Sequence, residues 1–224
     1  MDKEIIRFSS DLKQYLSSLF IKAGILPWFL GIALITFSVA SDNFLTAANI
    51  VGVARHSTDL ILVAMAQMIV MLTAGLDFSV GVILAMTSVV ASMTMVALWS
   101  GYGSGWEAIT IGCLAGLLVG ACIGLVNGVG VAFFRVPPFI MTLGMSSIIF
   151  GLALTITGGI PVYGAPESFT NIVGYGTLFG LSIAIWITLF CILLIYIFIN
   201  LTKMGRYFYA IGGNLRAAEL SGIN

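Results

Sequence analysis

The sequence predicts an all-α integral membrane protein, a polytopic helix bundle with six spans, on three observations. Hydrophobic residues make up 60% of the 224 and charged residues only 8%, whereas a soluble domain holds about 25% charged residues. The apolar residues gather into six runs, each at or near the roughly 20 residues that a helix needs to cross a bilayer. The charges collect at the ends of those runs, with the basic ones mostly on one side. Backbone groups in hydrocarbon must find their hydrogen bonds within the segment, so α-helices are the default. The net charge is zero, which points away from a nucleic-acid partner, and membrane lipid is the expected surrounding.

The chain opens with MDKEIIRFSSDLKQYLSSLF. Ile5, Phe8, Leu12, Leu16 and Leu19 recur every three or four residues and form one apolar face. Residues 1–22 are therefore expected to be an amphipathic segment on the cytoplasmic membrane surface. Ser38 to Ala40 have the small residues of a signal-peptide cleavage site, but the leading segment is long, amphipathic and contains acids, so it is expected to be retained.

The six runs are Ile25 to Ala40, Leu60 to Ala74, Val80 to Trp99, Ile109 to Phe133, Phe139 to Thr157 and Phe179 to Ile199; residues 23–200 are expected to form the transmembrane bundle. The second run is the shortest. Its length by helical rise is only about 22 Å, so the turn after it is expected within the membrane. With the N-terminus in the cytoplasm, eight of the nine basic residues fall on the cytoplasmic side, Arg55 being the exception. That is a strong positive-inside pattern.

Between the second and third runs stands TAGLDFSVG, with Asp77 beside two apolar stretches. A carboxylate near hydrocarbon needs a cap, a partner, water or a task. Gly75 is expected to break the helix. Asp77 is expected to accept from the N–H groups at the start of the third span near Ser79, where the helix dipole also favours it. Gly81 keeps the start of that span slim. Asn127 and Thr142, polar residues of the fourth and fifth runs, join Gly75, Asp77, Ser79 and Gly81 as candidates for a broken-helix turn or a translocation path.

The fourth run carries glycine at every fourth position: Gly112, Gly116, Gly120, Gly124 and Gly128. Such a stripe lets helices approach closely. It is expected to serve packing, and, because four residues overshoot a turn, more than one neighbour. Pro137 and Pro138 cannot continue a helix and are expected to form a rigid turn that opens the fifth span. Thr142, Ser146, Thr155 and Thr157 on that span either line a path or bond their own backbone, the commoner use. The glycine-rich loop from Gly158 to Thr177 is long for a simple hairpin, a length that often covers an entrance or contacts a partner. The three cysteines, Cys113, Cys122 and Cys191, lie inside apolar runs. Cys113 and Cys122 are about 13 Å apart by helical rise, too far for a disulfide, and all three read as small fillers.

After residue 200 the hydropathy stops and positive charge returns, so residues 201–224 are expected in the cytoplasm. Asn214 is placed to cap a short helix, LRAAEL, which Gly222 ends.

Three motifs, GLDFSVG, VNGVGVAFFRVPPFIMTLG and GRYFYAIGGNLRAAELSGIN, in this order, resemble the permease subunits of bacterial ABC importers for ribose and related monosaccharides. The likeness runs from about Asn43 to Asn224. The last motif is similar to the coupling loop of ABC permeases. Ala217, Ala218 and Gly222 match it, and Arg216 stands where its glutamate would be. The resemblance implies a pore subunit of the bacterial inner membrane, without catalytic residues, cofactor or metal. It implies coupling to a cytoplasmic ABC ATPase through Gly205, Arg206, Gly212, Asn214, Ala217, Ala218 and Gly222. A second permease subunit and a periplasmic sugar-binding protein are the other implied partners. The family pattern has about ten spans with the coupling loop near its middle, so the chain is expected to be C-terminally truncated against it.

Two other classes fit less well. An enzyme needs a nucleophile–base pair or a metal-ligand cluster, and the one histidine, His56, stands beside Arg55 in an outside segment. A secondary, ion-coupled transporter also uses broken helices, but its carboxylate relays are missing, Asp77 being the one acid near the membrane interior. No GxxxxGK[ST] phosphate loop occurs, as expected where a separate chain binds ATP.

Overall fold

A computed structural model describes residues 24–102 and 105–223, with the backbone alone for residues 100–102. The expected amphipathic segment at residues 1–22 lies outside the described residues. The helices are α1 (Leu26–Ala40), α2 (Ala47–Leu72), α3 (Val80–Tyr102), α4 (Gly105–Ala132), α5 (Pro138–Thr157), α6 (Glu167–Phe169), α7 (Ile183–Leu201), α8 (Lys203–Gly213) and α9 (Leu215–Leu220). A single π turn, Thr170–Gly174, follows α6, and a small antiparallel hairpin joins β1 (Thr177–Leu178) to β2 (Leu181–Ser182). The chain divides into two compact units, Met1–Val53 and Ala54–Asn224.

Among the described residues five helices, α2, α3, α4, α5 and α7, are long and apolar enough to cross a membrane. The first expected span is shorter: α1 has 15 residues, about 22 Å by helical rise. The fold is thus a polytopic helical membrane protein of five full-length spans and one short apolar helix.

The second span is not the short one. α2 has 26 residues, about 39 Å by helical rise. The apolar run begins at Leu60, but Arg55, His56 and Asp59 are helix-compatible and the helix starts well before them. Hydropathy marks where lipid contact is cheap, and it does not mark where backbone hydrogen bonding begins. A helix of this length does not by itself set the Asp77 turn within the membrane. The sixth run is corrected at its start: Phe179 and Gly180 both have positive φ, 52° and 79°. Two consecutive left-handed residues make the tight turn of a hairpin, so the helix begins only at Ile183.

The core of the second unit lies among α3, α4 and α5. Met86, Ile123, Ile149 and Ala153 are buried there, with Val82, Ile83, Val90, Val119 and Met145 against them. α3 and α4 make the closest pairing, and the glycines explain why. A side-chain carbon added at Gly112 would come within 2.8 Å of the Ala91 carbonyl; at Gly116 it would come within 2.9 Å of the Thr87 carbonyl and at Gly120 within 3.1 Å of Thr87 Cγ2. In lipid, where apolar burial drives little, such close approach is a main source of helix–helix attraction.

The stripe does not continue to Gly124 and Gly128, which have nothing within 4 Å. Each four-residue step advances about 40° beyond a full turn, so by Gly124 the stripe has rotated off the packed face. The face resumes instead at Gly130, five whole turns from Gly112, where an added carbon would meet Met141 Sδ of α5 at 2.5 Å. Cys113 and Cys122 are exposed on this chain, so they fill no core.

Outward, the helices present large apolar side chains; Leu117 is 71% and Phe190 60% exposed. That surface suits a lipid or protein surrounding rather than water.

Candidate functional site

Residues 73–79 interrupt the helical path between α2 and α3. α2 ends in a reverse turn: the Ala74 N–H donates to the Met71 carbonyl at 2.9 Å and the Gly75 N–H to the Val70 carbonyl at 3.2 Å. That pair of bonds closes a helix through a left-handed residue. The left-handed residue is Ala74, with φ 58°, and not Gly75. Gly75 is closely packed: a carbon added to it would stand 3.1 Å from Val70 Cγ1. Sequence reading missed Ala74, since alanine carries no signal for positive φ.

The following residues lie against α4 and α5. The Thr142 hydroxyl of α5 donates to the Pro138 carbonyl at 2.8 Å and accepts the Phe78 N–H at 3.2 Å, with the Leu76 carbonyl 3.4 Å away. The Phe78 ring meets Phe139 edge-on at 5.3 Å. One carboxylate oxygen of Asp77, Oδ1, accepts both the Ser79 N–H at 2.7 Å and the Ser79 hydroxyl at 2.5 Å. The same hydroxyl accepts from Asn127 Nδ2 of α4 at 2.9 Å.

Four of the expected residues thus converge. Asp77, Ser79 and Asn127 form one hydrogen-bonded chain, and Thr142 holds the backbone of the same turn. Ser79 is fully buried, and Asn127 and Thr142 are 6% and 4% exposed. Asn127 Oδ1 is buried without a partner among the described residues. A carbon added at Gly81 would meet nothing within 4 Å, so no close helix approach requires glycine there. Asp77 differs in detail from the expectation. It holds Ser79, the residue ahead of the helix, in an Asx turn, rather than an N–H of the first helical turn. Its negative charge still lies where the dipole of α3 favours it.

The other threonines of α5 bond their own backbone: Thr155 donates to the Gly151 carbonyl and Thr157 to the Ala153 carbonyl. An apolar cavity of about 500 Å³ lies between Met93, Val96 and Ala97 of α3, Ile156 and Thr157 of α5, and the residues after α5. It sits roughly 20 Å along α3 from Val80 by helical rise. A wall this poor in hydrogen-bond partners does not suit a polyhydroxylated solute.

The second candidate region is the end of the chain. Thr202 caps α8 through the Gly205 N–H at 3.3 Å, a cap that sequence reading passed over. Gly205 is obligatory there, because any side chain would overlap the Ile199 backbone at the corner between α7 and α8. Asn214 Oδ1 accepts the Ala217 N–H at 3.0 Å and caps α9. The Gly222 N–H donates to the Glu219 carbonyl and the Ile223 N–H to the Ala218 carbonyl, both at 3.0 Å. Gly222 has φ 80°, so α9 closes through a left-handed glycine.

Ala218 is only 4% exposed and is buried within the chain. The exposed residues of α9 are Leu215, Arg216, Ala217, Glu219 and Leu220. Arg206 is exposed on α8. Gly212 is packed against Leu72, where an added carbon would overlap the carbonyl oxygen.

The long loop after α5 is pinned at several points. Pro166 is fully buried. The Arg55 guanidinium lies 5.3 Å from the Tyr175 ring centroid, and Trp186 Nε1 donates to the Leu178 carbonyl at 3.0 Å.

Comparison with known proteins adds the following. The model of a family described as "Branched-chain amino acid transport system / permease component" matches residues 49–224. The chain is 32% identical over 187 residues to the D-allose transport system permease protein AlsC of Escherichia coli (strain K12), covering 84% of this chain and 55% of that protein. It is 35% identical over 190 residues to the ribose import permease protein RbsC of the same strain, covering 84% and 57%. It is 33% identical over 202 residues to the L-arabinose ABC transporter permease protein AraH of Azospirillum brasilense, covering 90% and 57%. The chain thus spans somewhat more than half the length of these relatives. No solved structure matches.

Proposed function

The chain belongs to the family described as branched-chain amino acid transport system permease components, and from that premise we propose that it is the membrane-spanning part of an ATP-driven importer. Its cargo is a monosaccharide or a related sugar-like solute. The family match over residues 49–224 carries this reading, and relatives named as allose, ribose and arabinose permeases support the solute class. The name of the arabinose relative, an ABC transporter permease protein, favours ATP drive over the ion-coupled alternative.

In this reading a cytoplasmic ATPase docks on the α8–α9 segment. Arg206, Arg216 and Ala217 offer an exposed surface there, while Gly205, Asn214 and Gly222 hold its shape. A second permease subunit completes the pathway, and a periplasmic binding protein delivers the solute to the outer face. Residues 23–200 span the bacterial inner membrane and residues 201–224 return to the cytoplasm. Asp77 holds α3 against α4, so its task is structural rather than direct solute contact.

The test is uptake by proteoliposomes that contain the full permease, its ATPase and the binding protein. Ribose, allose and arabinose should enter only with ATP and only with the binding protein present. Uptake driven by a proton or sodium gradient without ATP would replace this reading with the ion-coupled one.

A further inference from the structure

Gly212 of α8 packs onto the last turn of α2 so closely that a side-chain carbon would overlap the Leu72 carbonyl oxygen and stand 3.5 Å from the Ala74 nitrogen. Both are backbone atoms, and both belong to the turn that leads to Asp77. We propose that this contact is the link through which the position of the α8–α9 segment sets the geometry of the α2–α3 turn. Gly212 is then a positioning residue for the Asp77–Ser79–Asn127 chain, whose Asp77 and Ser79 lie more than 130 residues away in sequence.

Three observations make the link stiff. On the α8 side, the Asn214 N–H donates to the Ala210 carbonyl at 3.0 Å while the Asn214 side chain caps α9. Ala218 is buried, which seats α9 in the fold. The two short helices are thus joined without a loose connector. On the turn side, the Thr73 hydroxyl and the Gly75 N–H both bond the Val70 carbonyl. Further along, Thr142 takes the Phe78 N–H and Asp77 takes the Ser79 N–H. A displacement at Leu72 therefore reaches Ser79 through bonded backbone, not through a slack loop. At the contact itself, backbone meets backbone, so no side-chain rotation can absorb the motion. The neighbouring Gly213 has nothing within 4 Å, which makes it a control one residue away.

The link rests on the importer reading only for the origin of the motion. The test is hydrogen exchange on the full permease in detergent, without and with its ATPase and nucleotide. In Gly212→Ala the amides of Phe78 and Ser79 should exchange about tenfold faster than in the parent, while amides of α4 keep their protection. Gly213→Ala should match the parent. Unchanged exchange at Phe78 and Ser79 in Gly212→Ala, or an equal rise in Gly213→Ala, overturns the link. If Gly212→Ala loses protection throughout, the unaltered protein decides. A nucleotide-dependent change at α8–α9 amides that leaves Phe78 and Ser79 unaffected also overturns it, and a joint change supports it. Failure of the ATPase to bind at all counts against the importer reading, and the comparison without partner still decides the link.

Discussion

Asp77 does its work with one oxygen. Its Oδ1 takes both donors of Ser79, and Ser79 is fully buried. Asp77→Asn keeps an acceptor of the same size and should cost about 1 kcal/mol or less. Asp77→Leu leaves the Ser79 N–H buried without a partner and should cost about 1–3 kcal/mol. Thermal midpoint and yield in detergent, read beside uptake per molecule, check this. If both variants fold like the parent and lose uptake alone, Asp77 belongs to the solute path. Ala74 offers the opposite case. It occupies a left-handed conformation that costs an L-residue roughly 1–2 kcal/mol, so Ala74→Gly should raise the thermal midpoint or leave it unchanged. A clear fall would show that the Ala74 methyl contributes packing that outweighs its backbone strain.

At the scale of the element, α4 packs by angle rather than by motif. Gly112, Gly116 and Gly120 lie against α3 and Gly130 lies against α5, while Gly124 and Gly128 face open space. Gly116→Leu should therefore destabilise the α3–α4 pair by about 1–3 kcal/mol, the cost of overpacking. Gly124→Leu should leave that pair intact. Thermal unfolding in detergent separates the two, and equal losses would contradict the assignment of faces. A loss of subunit association in Gly124→Leu with unchanged stability would instead place a neighbouring chain on that face. α9 closes through Gly222 at φ 80°, a conformation costly for a β-branched residue. Gly222→Val should melt the end of α9 and weaken ATPase binding. Normal binding with normal uptake would remove this helix from the coupling surface.

In the whole molecule, the α2–α3 turn meets the start of α5 through Thr142 and the end of α8 through Gly212. These contacts gather one set of helix ends, and Arg135, Lys203, Arg206 and Arg216 lie in or near the same connections. Positive charge on one side marks the cytoplasmic face. Single cysteines at Glu167 and Lys203, in a background without Cys113, Cys122 and Cys191, should therefore label differently with an impermeant thiol reagent on intact cells. Position 167 should react and position 203 should not; the reverse pattern inverts the orientation.

The class of the molecule was legible in its composition, because a chain with so few charges has no stable fold in water and lipid leaves it little but helices. The spans after the first were legible as apolar runs, and the caps at Asn214 and Gly222 as residue types with one evident use. The candidate site was legible in part: Asp77 stood out for its cost, and Ser79 for its place two residues on. Four features escaped. The length of α2 was hidden because polar residues extend a helix as readily as apolar ones. Ala74 was hidden because strain imposed by neighbours leaves no mark on residue type. The inward turn of Ala218 was hidden because a small residue fits either face. The convergence of Asn127, Thr142 and Gly212 on one turn was hidden because it joins residues far apart in the chain. Local residue chemistry determined that this is a membrane bundle with a break at Asp77. Only the packing of α4, α5 and α8 around that break decided what holds it, since hydrogen-bond geometry and backbone contact exist only once the helices have met.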